Sequence, residues 1–92
     1  MILKMYSIRD AKAGIFHKPF YQVTHGEAER SFRTTCSEKQ SMMWQYPEDF
    51  DLYYVGEYND NEGTMKPLDT PQHILKAIAC VKKEKDSSAE EN

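Results

Sequence analysis

The chain has 92 residues, enough for one domain near the lower end of what a hydrophobic core supports alone. Its hydrophobic fraction is 39% and its aromatic fraction 12%, so a few large rings must supply much of the buried area. The formal net charge of -3 excludes a generally basic nucleic-acid coat protein.

A chain this small gains stability by association, so a homodimer is expected. The charge is unevenly spread. Residues 1–46 hold seven basic and four acidic residues, and residues 47–92 hold five and eleven, giving +3 and -6. A polyanion is therefore expected to meet the N-terminal half, against the plainer alternative of two solvated faces without a partner. Cys36 and Cys80 have neither CxxC nor metal-type spacing. They read as small buried thiols of a reducing compartment, with a single disulfide left open. No apolar run suits a signal peptide or a membrane span, so a soluble cytoplasmic protein is expected.

ILKMYSI, residues 2–8, is rich in strand formers and reads as the first strand. RDAKAG follows as a turn with Gly14 as its flexible point. IFHKPFYQVT carries Pro19, which rules out a central strand and permits an edge strand or an extended arm anchored by Phe20 and Tyr21. Thr24 and Glu27 then fit a capping box, and Ala28, Phe32 and Thr35 or Cys36 recur at helical spacing, which predicts a helix over residues 25–36. Arg30 and Arg33 share a face away from Phe32 and should be exposed.

Met42, Met43 and Trp44 suit one further helical turn before Tyr46, which Pro47 pushes toward extended backbone. DLYYVGEYN, residues 51–59, is the strongest strand signal. Strict alternation points Leu52, Tyr54, Gly56 and Tyr58 one way, and Tyr53, Val55 and Glu57 the other. That makes Leu52, Tyr54 and Tyr58 core and leaves Tyr53 outside. NDNEG supplies a hairpin loop, and TMKPL returns as a short edge strand. Thr70 as cap, Pro71 at the first position and Ile74, Leu75, Ile78 and Val81 as a stripe predict a second helix ending in Lys82, Lys83 and Lys85. The expected domain spans residues 1–85, with 86–92 a disordered acidic tail. The fold class is α+β: a small antiparallel sheet of three or four strands with two helices packed on one face.

Chemistry is sparse. His17, His25 and His73 fall in different elements, with no spacing that promises a metal site. There is no nucleophile elbow and no glycine-rich phosphate loop, and the acids of PEDFD read as a solvated loop. No enzyme activity, metal or cofactor is expected. Single-stranded nucleic acid is held by cations interleaved with rings, because phosphates need charge and bases need π-faces. Lys4, Tyr6, Arg9, Lys12, Phe16, Lys18, Phe20 and Tyr21 interleave in that way, and Arg30 and Arg33 extend the track. Core or dimer packing of Phe16, Phe20 and Tyr21 is the competing use of those rings.

The blocks MYSIRDAKA, PF at residues 19–20, HGEAERSFRT, YPEDFDLYYVGEYNDNEG and TPQHILKA occur in that order. Together, over roughly residues 1–81, the chain resembles the small non-structural protein of gokushovirus-type microviruses, phages with circular single-stranded DNA. The resemblance implies a phage protein of the host cytoplasm that binds DNA or regulates the switch from duplex replication to single-stranded genome synthesis. It carries no site residues with it. The expectation is a protein that binds single-stranded DNA, with phosphate contacts from Lys4, Arg9, Lys12, Lys18, Arg30 and Arg33. Stacking would come from Phe20, Tyr21 and Tyr53, and the affinity would fall steeply with salt. The alternative is a regulator that binds the replication initiator or a host replication factor without touching DNA. Its acidic half would face a basic protein surface.

Overall fold

A computed structural model describes residues 1–81 of the chain. The expected acidic tail at 86–92, and the lysines expected to close the last helix, lie outside the described residues.

Strand β1 (Ile2–Asp10) is central. It turns through residues 11–14, where Gly14 takes φ 73°, and pairs back with β2 (Ile15–Phe16) and β3 (Phe20–Gln22). Pro19 interrupts this outer strand where no ladder hydrogen bond is required of it, so the proline-bearing segment is an edge strand. Helix α1 (His25–Ser37) follows. The Thr24 hydroxyl accepts from the Glu27 amide at 3.2 Å and donates to the Glu27 carboxylate at 3.2 Å, so half of the expected capping box is built. A short α2 (Met42–Gln45), capped by Ser41, and a 3-10 turn at Pro47–Asp49 lead into β4 (Phe50–Asn59). The 59–63 loop closes with Gly63 at φ 69°, as its composition predicts.

The return strand departs from expectation. β5 runs from Thr64 to Lys76, so Thr70 and Pro71 lie in an extended segment and not at a helix start. Only from residue 77 is the backbone helical. Pairing with β4 decides this: Leu75 is opposite Leu52, and His73 opposite Tyr53. Those ladder bonds and the burial of Leu52 outweigh a cap signal that is only local.

The sheet order is β2-β1-β4-β5, with β3 also on the outer side of β1, and all pairs are antiparallel. One face is closed. Tyr6, Phe50 and Leu52 from the sheet, Ala28, Phe32 and Cys36 from α1, and Met43 from α2 form the core with Ala77, Cys80 and Val81. The fold is therefore α+β but mostly sheet, and α1 is the one long helix among the described residues. The expected second helix contributes only its end.

A register shift makes the sheet's other face what it is. Met5 pairs with Gly56 and Tyr6 with Tyr54, so Val55 is an extra residue in β4. On β5 the same level is irregular, since Gln72 pairs with Tyr54 and Pro67 with Gly56, leaving 68–71 outside the ladder. The extra residue inverts the alternation. Phe50, Leu52 and Tyr54 face the helices, whereas Gly56 and Tyr58 have moved to the open side. The expected common face of Leu52, Tyr54, Gly56 and Tyr58 is corrected accordingly.

Candidate functional site

Directly paired residues project to the same side of a sheet, so the register defines the open face. On β1 it carries Leu3, Met5, Ser7 and Arg9, each one residue out of step with core-facing Tyr6. Phe16 pairs with Arg9, Tyr21 with Met5, Tyr53 with Ser7 and Tyr58 with Leu3. Across β1 the rings meet in pairs. Phe16 lies edge-on to Tyr53 with centroids 5.4 Å apart, and Tyr21 lies tilted against Tyr58 at 5.5 Å. His73 extends the first pair, edge-on to Tyr53 at 5.3 Å, and its Nε2 is 2.6 Å from an Asp51 carboxylate oxygen. The Arg9 guanidinium sits 5.7 Å from the Phe16 centroid, a cation held over a ring.

Beneath these rings the floor is closed. Met5 and Ser7 are buried although they point away from the helices. The Ser7 hydroxyl donates to the His17 carbonyl at 2.6 Å, and Met5 lies against Gly56, whose missing side chain makes room for it. Phe16 and Tyr21 remain 42% and 39% exposed, which is high for rings already in contact with another ring. The face thus presents aromatic edges and planes to solvent over an apolar floor.

Of the residues proposed from sequence, Arg9, Tyr21 and Tyr53 come together here. Lys18 is exposed in the link between β2 and β3, at the border of the face. Lys12 is in the turn after β1 and lines a shallow groove with Met42, Tyr46 and Phe50, at the helix-side end of the sheet. Lys4 has the parity of Tyr6, in register with Gln22 and Glu57, and so lies on the helix side. Phe20 packs on the core with its ring 5.8 Å from Tyr6. Arg30 and Arg33 are exposed on α1, beside Glu29 and Thr34, in the layer behind the sheet. The expected single surface of cations and rings is therefore divided. The rings gather and most of the cations do not.

Three members of the face were not proposed as site residues. Phe16 lay within the interleaved run, but Tyr58 had been placed in the core and His73 in a helix. A lone glycine inside a strong strand is the signal that could have found Tyr58, because such a glycine often marks a bulge.

The core side holds the perturbed acids. Burial, then the neighbouring Tyr54 and the carboxylates of Glu27 and Glu29, push the Tyr6 hydroxyl up to about 12. That hydroxyl is hydrogen-bonded to His25 Nδ1. Burial, then Cys80, push the Cys36 thiol up to about 12. Both groups are thus locked in their neutral forms and serve packing. Among the described residues no three His, Cys, Asp or Glu side chains converge as a metal site, and no helix is long and apolar enough to cross a membrane.

Fold and face together define a small, mainly antiparallel sheet protein with one side sealed by helices and one side bearing paired rings. The family of Phage ORF5 proteins matches residues 3–80, a stretch that takes in all but the first residue of the five-stranded sheet, and the chain belongs to that family. It is similar to Protein ORF5 of Chlamydia phage 1, at 32% identity over 69 residues, which covers 70% of this chain and 71% of that relative. No solved structure matches the chain. These likenesses place the chain among microvirus-type phage proteins, as its ordered blocks implied, and neither name carries a role in DNA binding or replication.

Proposed function

We propose that this phage protein acts without catalysis in the host cytoplasm, binding single-stranded DNA on the open face of its sheet during viral genome replication. The observation that carries the proposal is the set of four rings, Phe16, Tyr21, Tyr53 and Tyr58, partly solvent-facing on one side of the sheet, with the Arg9 guanidinium among them. Bases of any sequence offer a π-face, so a ring-bearing sheet surface suits a single strand and cannot engage the stacked interior of a duplex. The same face explains how an acidic chain could bind nucleic acid: stacking supplies the affinity and charge contributes little. The proposal includes a homodimer, because two such faces on one strand gain from effective concentration.

Fluorescence anisotropy with a labelled oligothymidylate at low salt tests it. Tyr53→Leu or Tyr21→Leu should each weaken binding by roughly five-fold to a hundred-fold, the range for losing one stacked base. Arg9→Glu should weaken it as well, whereas Arg30→Glu with Arg33→Glu should leave it nearly unchanged. With Arg9, Lys18 and Lys76 as the cations at the face, log affinity should fall against log salt with a slope of only about -2. No binding at micromolar protein would end the proposal.

One observation favours a second reading. Lys4, Arg30 and Arg33 sit behind the sheet, beside acidic residues of α1 and β4. A regulator that binds the replication initiator or a host replication factor would use those mixed surfaces and leave the rings idle. In that case the tyrosine variants would not affect partner binding, and the α1 variants would.

A further inference from the structure

The two ring pairs on the open face are copies of one arrangement. In each, a ring from the outer strands reaches diagonally over β1 to a tyrosine of β4. Phe16 is anchored opposite Arg9 and meets Tyr53, which is opposite Ser7. Tyr21 is anchored opposite Met5 and meets Tyr58, which is opposite Leu3. Both members shift by four residues of β1 between the first pair and the second, so the pairs are parallel and about 13 Å apart at the usual strand rise of about 3.3 Å per residue. This equivalence depends on the bulge. Tyr53 and Tyr58 are five residues apart and would lie on opposite faces without Val55 as the extra residue.

A single strand drawn along such a face rises about 6–7 Å per nucleotide, roughly twice its stacked rise in a duplex. Two such steps span the interval between the ring pairs. Among the described residues nothing aromatic lies between them, and the middle is floored by Met5 lying over Gly56. The geometry points to a three-nucleotide site in which the first and third bases stack, one on the Phe16–Tyr53 pair and one on the Tyr21–Tyr58 pair. The middle nucleotide spans Met5 without a ring of its own. This rests on the single-stranded DNA proposal and adds a length, a polarity-independent spacing and unequal positions to it. Charge favours this occupant over a second copy of the chain. Arg9 sits over Phe16, and Lys76, in register with Asp51 and so with Arg9, lies on the same face, so cations border the first ring pair where the phosphates of a strand would pass.

The test is competition by short unlabelled oligothymidylates against a labelled one of about twelve residues, within the length range that small single-strand sites accept. The trinucleotide should compete on the order of tenfold or more better than the dinucleotide, and the tetranucleotide only marginally better than the trinucleotide. An abasic residue at the centre of the trinucleotide should change its affinity by no more than about twofold, and one at either end should cost on the order of tenfold. Tyr58→Leu should remove the penalty at one end and leave the penalty at the other. If the three abasic positions cost the same, or if no step appears between two and three nucleotides, the spacing is wrong while DNA binding stands. Absence of binding to the long oligonucleotide overturns both proposals. A concentration-dependent dimer that Tyr21→Lys dissociates and oligonucleotide does not also overturns the site, by assigning the face to a second copy.

Discussion

Replacing Gly56 with alanine should damage this protein more than any other single added methyl group at a glycine. A Cβ built there would lie 2.7 Å from the Lys66 carbonyl oxygen, 2.8 Å from Met5 Cε and 3.0 Å from Pro67 Cα. Two of those neighbours are backbone of β5, so β5 must move away from β4 at the level where both strands are already irregular. Overpacking of this kind costs about 1–3 kcal/mol, and with two rigid neighbours we expect about 2–3 kcal/mol. In a domain of this size each kcal/mol lowers Tm by about 4–8 °C, so Gly56→Ala should melt roughly 10–20 °C below the parent. Circular dichroism with urea and thermal melts measures both quantities. Gly26→Ala is the control, since its Cβ would meet only the Thr24 hydroxyl at 3.9 Å and alanine gains up to about 1 kcal/mol inside a helix. Adding Met5→Ala to Gly56→Ala should recover little, because the β5 backbone still blocks the site. A Gly56→Ala variant within about 0.5 kcal/mol of the parent would refute the close approach of β5 and, with it, the position of the bulge.

Alkali should destabilise the protein through Tyr6 and Cys36, each of which would have to lose a proton from a buried site. The Tyr6 hydroxyl is raised from 10.0 to about 12, chiefly by burial, so the neutral form's contribution is complete below pH 10 and is lost as pH rises through 12. Tyr6→Phe should make the fall in stability over that window shallower, the remainder coming from Cys36, while costing about 1 kcal/mol at neutral pH through the lost bond to His25. The Cys36 thiol, held at about 12, should resist iodoacetamide at neutral pH and react on addition of denaturant, followed by mass spectrometry. Equal rates in both states would contradict its burial. Thr24→Ala should cost about 1 kcal/mol in urea melts and Thr24→Ser much less, since the serine hydroxyl still accepts from the Glu27 amide.

What the sequence made legible follows the range of each interaction. The start of α1, the turn at Gly14 and the loop at Gly63 are set by residues within four positions of one another, and they formed where expected. The fate of residues 70–76 was not legible. Thr70-Pro71 and the spacing of Ile74, Leu75 and Ile78 satisfy a helix locally, and only the distant partner strand β4 reverses the choice. The open face shows the same division. Alternation alone places Tyr53 outside, and the interleaved run includes Arg9, Phe16 and Tyr21. The position of Tyr58 hangs on one unpaired valine, whose cause lies in how β1 and β5 grip β4. Phe20 took the competing use, core packing, for a related reason: it has the composition of a stacking ring, but its parity on β3 directs it at Tyr6.

The prolines set how copies of this molecule can meet. Pro19 interrupts the outermost pairing on one margin of the sheet, and Pro67 and Pro71 lie in β5 on the other. A strand approaching from either flank would find amide donors missing and, at 68–71, a backbone out of line. Growth of the sheet from molecule to molecule, the usual route from soluble strand protein to fibre, is therefore obstructed at both ends. Self-association of this chain is left to side-chain surfaces, where a single substitution can make or unmake it.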